Sequence, residues 1–358
     1  MYYNIPMKTI ISAVFLSLLF NSGAAALDAV SFDKGDLPAL ARGMDAAAKT
    51  GSVPLPRREQ GPGLCIFNGL SGSALGGEAA FNGVAAAADA VYAGESHDQL
   101  KDHLAQLKAL QALAAARGEK IAVGFEMLNM TLQPVLDAYS AGQLTEEEFL
   151  LKADWKKEWG FDFKLYKPLF DFIRANKLKA LALNLPKKVV SKIARVGLAG
   201  LGPEEKQYLP ARVEVTTDAR YIAYIRQAFE GHGKGLGQGA FSAQYLAFLR
   251  RYILGEAKGM GDFTFENYLA AMSAWNEAMG ARLADFLNAN PGYAGLVVAG
   301  SGHVIYNAGI PASVAARTAG LRAVSFYPAD AAACPAALPS ADAGLADYVW
   351  YIDHAAAK

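Results

Sequence analysis

The stretch Ala88–His97, with the sequence ADAVYAGESH, is the strongest indication of the fold class of this chain. Its apolar first part predicts a short buried strand, and Gly94 allows the backbone to turn sharply into Glu95 and His97. A helix is predicted directly afterwards, over about residues 98–117, because leucines recur there at helical spacing. A strand, a polar loop and a helix in this order form the repeating unit of a parallel α/β sheet.

The same succession recurs along the rest of the chain. Further strands are predicted over Ile121–Phe125, Leu178–Leu183, Gly295–Ala299, Leu321–Phe326 and Tyr348–Ile352. Helical patterns separate most of them, so we expect an α/β fold with a mostly parallel sheet flanked by helices. Residues 77–358 then form this domain, with helical insertions over 140–175 and 203–265 that can act as a lid.

Polar side chains stand at the ends of four predicted strands: Glu95 with His97, then Glu126, Asn184 and His303. The carboxyl ends of parallel strands lie along one edge of a sheet, where ligands bind, so we expect these groups to converge. Each histidine stands three residues after a glycine, which lets the backbone approach a ligand closely. The sequence therefore predicts one site built from these five residues.

This set of side chains permits two kinds of chemistry. Two imidazoles and a carboxylate, here His97, His303 and Glu126, are a common ligand set for a divalent transition metal. They can also transfer protons, with Glu95 or Glu126 as general base and Asn184 as a further polar group of the catalytic site. Each group also has a purely structural explanation, because polar groups at buried strand ends need hydrogen-bond partners in any case.

Aromatic residues recur at intervals of three and four between Trp155 and Phe170. Such a stripe is typical of the buried face of a helix, but it could also pack against a flat porphyrin. Tyr166 lies within the stripe and is a candidate phenolate ligand of ferric iron. The basic helix over residues 187–195 is either a solvated face or a partner for the propionates of haem.

Residues 1–26 are predicted to be a signal peptide. Lys8 supplies a positive charge, the apolar run Ile10–Phe20 is short for a membrane span, and the small residues 24–26 fit a cleavage site. A membrane anchor or a buried helix is the alternative. No cysteine lies near the cleavage site and no later run reaches transmembrane length. We therefore expect a periplasmic or secreted protein without a transmembrane span after signal removal, and a loosely structured segment over residues 27–76.

Charge and cysteine content restrict the partners and the compartment. Lys and Arg together number 34, as do Asp and Glu, so the chain has no net field that would attract nucleic acid. We expect a small-molecule ligand and no nucleic acid. The two cysteines, Cys65 and Cys334, either pair in an oxidising compartment or remain thiols, and their spacing does not decide between these states.

Several motifs resemble, in the same order, those of the ChaN-like family. They are Gly94-Glu95-Ser96-His97 with His103 and Gln106, Phe125-Glu126-Met127 with Gln133-Pro134, Trp155 with Trp159-Gly160 and Tyr166, Asn184-Leu185-Pro186, Trp275-Asn276-Glu277-Ala278-Met279, and Gly300-Ser301-Gly302-His303-Val304 with Gly309-Ile310-Pro311. The resemblance spans about Ala88–Pro311. The chain departs from many relatives in lacking a lipid-acceptor cysteine, and residues 27–76 and 231–239 look like additions.

The resemblance implies an iron-regulated, haem-binding envelope protein that can form a homodimer around cofacial haems, with tyrosine and histidine near the iron. On this hypothesis the chain is an exported haem- or iron-binding protein that serves haem or iron acquisition. Tyr166 is then the axial ligand, supported by His97 or His303. The wider superfamily, which includes Tiki and TraB proteins, implies the alternative of a metal-dependent hydrolase that uses paired Gly-x-x-His loops and a glutamate.

Overall fold

The computed structural model describes residues 65–233 and 264–354. The predicted signal peptide, most of the predicted loose segment and most of the glycine run 231–239 lie outside these residues. The described chain contains one seven-stranded sheet. Its strands are β1 (Ile66–Asn68), β2 (Ala90–Glu95), β3 (Ile121–Asn129), β4 (Lys179–Asn184), β5 (Ala294–Gly300), β6 (Ala323–Asp330) and β7 (Tyr348–Ile352).

The α-helices fall mostly between the strands. They are α1 (Gly77–Ala87), α2 (Leu100–Arg117), α3 (Gln133–Ser140), α4 (Glu146–Lys152), α5 (Trp155–Glu158), α6 (Phe163–Ala175), α7 (Lys187–Val196), α8 (Pro203–Lys206), α9 (Ala219–Gly233), α10 (Phe265–Ala289) and α11 (Ile310–Ala315). Short 3-10 turns follow β5 at Ser301–His303 and Ile305–Asn307.

The strands follow the order β1-β7-β6-β2-β5-β3-β4, and every neighbouring pair is parallel except β1 with β7. This arrangement confirms the predicted α/β fold with a mostly parallel sheet. Every residue of β2 and β5 is buried. Because successive side chains of a strand point to opposite faces, burial of the whole strand means that both faces of the sheet centre are covered.

Two details differ from the sequence-based expectation. Glu126 was expected after the end of its strand, but β3 continues to Asn129. The pairing of β3 with β4 shifts register between Phe125 and Asn129, so the chain keeps strand pairing past the glutamate instead of turning there. In addition, Ile66–Asn68 within the predicted loose segment forms the antiparallel edge strand β1.

Cys65 and Cys334 form a disulfide bond, with 5.7 Å between their Cα atoms. Cys65 precedes β1, and Cys334 lies in the loop between β6 and β7. The bond therefore closes a long loop of chain at one edge of the sheet. Among the described residues, no helix combines the length and apolarity needed to cross a membrane.

Candidate functional site

The predicted site residues lie together at one edge of the sheet. Strands β2, β5, β3 and β4 are successive neighbours and run parallel, so their carboxyl ends share this edge. The structure thus brings together five side chains that we call the inner polar site: Glu95, His97, Glu126, Asn184 and His303. All five are buried, with exposed fractions between 1% and 5%.

Both imidazoles of the inner polar site are held through Nδ1. Glu95 Oε1 lies 2.7 Å from Nδ1 of His97, and Asn276 Oδ1 lies 2.7 Å from Nδ1 of His303. The other nitrogen of His303, Nε2, is 3.3 Å from Glu126 Oε1. A hydrogen bond at one ring nitrogen sets the orientation of the imidazole and the role of the other nitrogen.

Gly300 lies between His97 and the Glu126 carboxylate. A Cβ atom at this position would stand 2.7 Å from Cε1 of His97 and 3.4 Å from Oε2 of Glu126. The absence of a side chain at Gly300 therefore allows the two groups to approach the same stretch of backbone. The Gly300 amide donates to Glu126 Oε2 at 2.6 Å.

Glu126 has one carboxylate oxygen that accepts no hydrogen bond from the described residues, although the atom is buried. That oxygen is Oε1, and His303 Nε2 faces it at 3.3 Å. Burial raises the pKa of Glu126, but His303, His97 and the Gly300 amide together lower it by more than burial raises it. The pKa of Glu126 therefore lies below its ordinary value. Asn184 holds the backbone at this point, because its Nδ2 donates to the Glu126 carbonyl at 2.5 Å.

Glu95 is fully engaged by its neighbours. Oε1 binds His97 and the Tyr166 hydroxyl, which donates to it at 2.9 Å, and Oε2 accepts from Gln106 Nε2 at 2.8 Å. His103 Nδ1 lies 3.3 Å from the same Oε2. Burial raises the pKa of Glu95, but His103 and His97 outweigh that effect and hold it well below its ordinary value. A carboxylate in this state is better suited to orienting His97 than to accepting a proton.

Tyr166 belongs to the core of the molecule. Its side chain is 0% exposed, and its hydroxyl accepts from Trp159 Nε1 at 3.0 Å while donating to Glu95. Burial and the neighbouring Glu95 raise the pKa of Tyr166 well above its ordinary value, which disfavours the phenolate. The remaining aromatic residues of the predicted stripe are also buried: Trp155, Trp159, Phe163 and Phe170. The stripe is therefore a core face, as amphipathic spacing usually indicates.

Sequence reasoning missed two functional-site neighbours. Asn276 of α10 orients His303, and its Nδ2 donates to the Tyr221 hydroxyl at 2.8 Å. Tyr221 of α9 in turn donates to the Gly302 carbonyl at 2.9 Å. Asn276 belongs to the motif Trp275-Asn276-Glu277-Ala278-Met279. An amide on the apolar face of a long helix needs a buried hydrogen-bond partner, and this could have identified it. Tyr221 offered no such signal, because both of its partners, Asn276 and Gly302, are more than fifty residues away in sequence.

The basic helix α7 contacts neighbouring segments through its lysines. Lys187 Nζ donates to the Lys157 carbonyl at 2.5 Å, and Lys192 pairs with Glu205 at 2.8 Å. Neither contact identifies an anionic ligand. Within residues 65–233 and 264–354, no group of three or more His, Cys, Asp or Glu side chains is arranged to hold a metal ion.

The chain matches the family model described as "Haem-binding uptake, Tiki superfamily, ChaN" over residues 83–314, which is well over half of its length. Among solved structures, the chain is similar to "Cofacial heme binding to ChaN of Campylobacter jejuni", with a TM-score of 0.55 at 18% identity. That similarity covers 79% of this chain and 94% of the Campylobacter chain. At this identity it shows a shared fold.

Two other similarities are weaker. A type III effector, HopBA1, gives a TM-score of 0.42 at 12% identity over 76% of this chain and 92% of the effector. A mutant of the erythromycin esterase EreC gives a TM-score of 0.36 at 15% identity over 69% of this chain and 72% of the esterase. Neither score supports an argument about function. The curated proteins contain no match to the sequence.

Proposed function

The chain belongs to the ChaN family of haem-binding uptake proteins in the Tiki superfamily, and from that membership we propose that it binds haem. The family match over residues 83–314 is the observation that carries the proposal. The shared fold with a protein whose structure is described as binding cofacial haem supports it. Bound haem would supply an iron centre that takes axial ligands from protein side chains.

The iron ligands predicted from the sequence are poorly accessible to a porphyrin in the described conformation. His97 and His303 are 3% and 5% exposed, and their Nδ1 atoms are bonded to Glu95 and Asn276. Tyr166 is fully buried, and its hydroxyl is bonded to Glu95 and Trp159. Binding of iron by Nε2 of either histidine would leave the Nδ1 contact intact, but a porphyrin could reach these buried rings only if the residues around them moved apart. Coordination by Tyr166 would require its two hydroxyl contacts to break. We therefore propose that haem binds outside the inner polar site, at the same sheet edge.

Tyr306 is the described residue that best meets the requirements of a haem ligand at that edge. It follows the His303 loop and is partly exposed. Its backbone is in the left-handed region at φ 60°, a conformation that is costly for a tyrosine and is concentrated at functional sites. The guanidinium of Arg220 lies 5.1 Å from the centre of its ring and pairs with Asp218 at 3.3 Å. The Arg220 side chain is 59% exposed, so a cation that a propionate could reach stands beside the phenol.

A hemin titration tests this proposal. The wild-type protein should give a saturable Soret shift, and Tyr306→Phe and Arg220→Ala should each weaken binding about tenfold or more, as expected for the loss of a ligand or of a charge-assisted contact. Tyr166→Phe serves as the matched tyrosine control and should keep the shift. If hemin leaves the wild-type spectrum unshifted at tens of micromolar, haem binding is refuted. A shift that survives Tyr306→Phe but disappears in Tyr166→Phe would identify Tyr166 as the iron ligand instead.

We further propose that the protein acts outside the cytosol in haem or iron acquisition and dimerises when haem binds. The Cys65–Cys334 disulfide supports an oxidising compartment, and the family description concerns haem uptake. Cell fractionation with mass determination of the mature N-terminus tests export and signal cleavage. Sedimentation with and without hemin tests dimerisation, and a monomer under both conditions would contradict it.

Metal-dependent hydrolysis is the second candidate. The observation in its favour is the buried Glu126 Oε1, which lacks a hydrogen bond and faces His303. His97, Glu126 and His303 are not arranged to hold an ion in the described conformation, so this role requires them to draw together around it. Glu95 would orient His97, Asn276 would orient His303, and the ion would activate water. Metal analysis of the purified protein and an esterase screen with and without chelator test this role. Hydrolysis that survives both chelator and His97→Ala would exclude it.

A further inference from the structure

The last described residues of the chain return to the segment that carries His97. His354 follows β7, and its Nε2 lies 2.7 Å from Oδ1 of Asp102 in the first turn of α2. The His354 amide donates to Asp330 Oδ1 at 3.0 Å, and Lys101 Nζ donates to the Asp353 carbonyl. The end of the described chain is thus held at the start of α2 by side-chain and backbone contacts.

Asp102 connects His354 to the inner polar site. The residue is 1% exposed, and its second oxygen, Oδ2, accepts the Ser96 amide at 2.7 Å. Ser96 lies between Glu95 and His97, so this carboxylate holds the amide side of the backbone from which both side chains project. His103 and Tyr166 contact the His97 carbonyl at 3.3 Å, on the other side of the same loop. A buried carboxylate needs a partner for its charge, and His354 is the imidazole in contact with it.

The charges around His354 favour its protonated form. Asp102 and Asp330 face the ring, with Asp330 Oδ1 at 3.7 Å from Nδ1, and Lys101 is the opposing cation. His103 faces Asp102 from the same helix turn. Burial lowers the pKa of His354, but Asp102 and Asp330 raise it more, so the pKa lies above its ordinary value of 6.5.

We propose that His354 is a positioning residue for the inner polar site: acting through Asp102, it fixes the Ser96 backbone and thereby holds the imidazole of His97 against Glu95. A residue at the far end of the described chain then controls a loop that is more than 250 positions away. The inference is independent of haem binding, because every contact that carries it lies within the protein.

The proposal has a defined pH dependence. Because the folded-state pKa of His354 is raised, its charged form is complete below pH 6.5 and is lost as the pH rises through the higher folded-state value. Burial also raises the pKa of Asp102, so the ion pair is lost again at acid pH, where this carboxylate takes up a proton. The loop of Ser96 should therefore be held more firmly at pH 6 than at pH 9. A purely steric role of His354 would show no such dependence.

Hydrogen exchange of a peptide covering residues 94–99 tests the proposal. In His354→Ala, exchange at pH 6 should be about ten- to a hundredfold faster than in the wild type at the same pH, the range expected for a lost hydrogen bond to a charged group. The ratio of variant to wild-type rates should approach one at pH 9. In His354→Lys, which keeps a cation over this range, exchange at pH 6 should stay close to the wild type.

Two controls keep the test decisive. Tyr351→Phe removes a hydrogen bond to Asp342 from the same strand β7 but does not touch Asp102, so the 94–99 peptide should be unchanged. Exchange of the β5 peptide reports whether each variant keeps its core. A ratio of one for His354→Ala at pH 6, or an equal ratio at pH 6 and pH 9, overturns the proposal. If His354→Ala does not fold, exchange of the 94–99 peptide in His354→Lys is compared with that in the wild type at pH 9. The lysine keeps its charge there, so exchange should be slower in the variant, and equal rates would overturn the proposal.

Discussion

Tyr166 and Tyr92 are both fully buried phenols, but their hydroxyl groups have different surroundings. Tyr166 joins Trp159 to Glu95, whereas the hydroxyl of Tyr92 has no hydrogen-bond partner among the described residues. A hydroxyl between two partners stabilises the fold, and its removal leaves both partners unpaired. At the residue scale, the role of a tyrosine in this core depends on these partners rather than on burial alone.

The pair of tyrosines gives a matched stability test. Tyr166→Phe should lower the free energy of unfolding by about 1–3 kcal/mol, because Trp159 Nε1 and Glu95 each lose a partner in a buried environment. Tyr92→Phe should leave stability nearly unchanged or raise it slightly, since no hydrogen bond is lost. Urea denaturation of both variants provides the measurement. Equal losses in the two variants would contradict the role assigned to the Tyr166 hydroxyl.

Glu95 and His103 make the stability of the protein depend on pH. The pKa of Glu95 is lowered in the folded state, so Glu95 stabilises the fold at pH values above its unfolded-state pKa of 4.5. This stabilisation is lost as the pH falls through the folded-state pKa. The pKa of His103 is raised, so its contribution is complete below 6.5 and is lost as the pH rises through its folded value. The pair should therefore stabilise the fold most between about pH 4.5 and 6.5.

Denaturation at a series of pH values measures this window. The wild type should lose free energy of unfolding between pH 5 and pH 3, and Glu95→Gln should lose at least about 1 kcal/mol less over the same range. This difference corresponds to a shift of less than one unit in the pKa of Glu95. Glu119→Gln changes an exposed carboxylate before β3 and should keep the wild-type profile. Parallel profiles for the wild type and Glu95→Gln would show that the buried pair does not govern acid unfolding.

Two glycines show how the same residue type serves different elements. Gly83 lies inside helix α1, where an added Cβ would meet no atom within 4 Å. Gly300 ends strand β5, where the same atom would stand 2.7 Å from His97 Cε1. Alanine is favoured over glycine inside helices, whereas an overpacked site must displace its neighbours. At the element scale, one glycine is replaceable and the other is required by the inner polar site.

Alanine substitutions should therefore have opposite effects at these two positions. Gly83→Ala should raise the free energy of unfolding by roughly 0.5–1 kcal/mol through helix propensity. Gly300→Ala should lower it by about 1–3 kcal/mol and shift the imidazole resonances of His97, because the ring must move away from the new methyl group. Chemical denaturation and NMR provide the measurements. A stable Gly300→Ala variant with unchanged His97 resonances would contradict the packing described for β5.

The disulfide between Cys65 and Cys334 acts on the whole molecule because 269 positions separate its two ends. Cross-linking distant residues restricts the unfolded chain, and the effect grows with the length of the closed loop. Reduction should lower the free energy of unfolding by roughly 2–5 kcal/mol. Denaturation with and without reductant measures the loss. The double variant Cys65→Ser with Cys334→Ser is the control and should not respond to reductant, and identical stability of the oxidised and reduced wild type would contradict the prediction.

Much of the candidate site could be predicted because it depends on local patterns. The apolar run before Gly94, and those before Glu126 and Gly300, identified strands from a few neighbouring residues. The rule that parallel strands end at one edge then placed these groups together. Asn276 and Tyr221 escaped this reasoning because their role arises from contacts between helices and a loop that are distant in sequence.

The succession of strands, polar loops and helices could be read from the sequence, and with it the parallel sheet and the convergence of its carboxyl ends. These features depend on periodicity and backbone geometry, which act over short stretches of chain. The bond of the Tyr166 hydroxyl to Glu95, the pairing of Cys65 with Cys334 and the contact of His354 with Asp102 became visible in the folded molecule. Each of these contacts joins segments that are distant in sequence, so it depends on how those segments pack together, which no local pattern records.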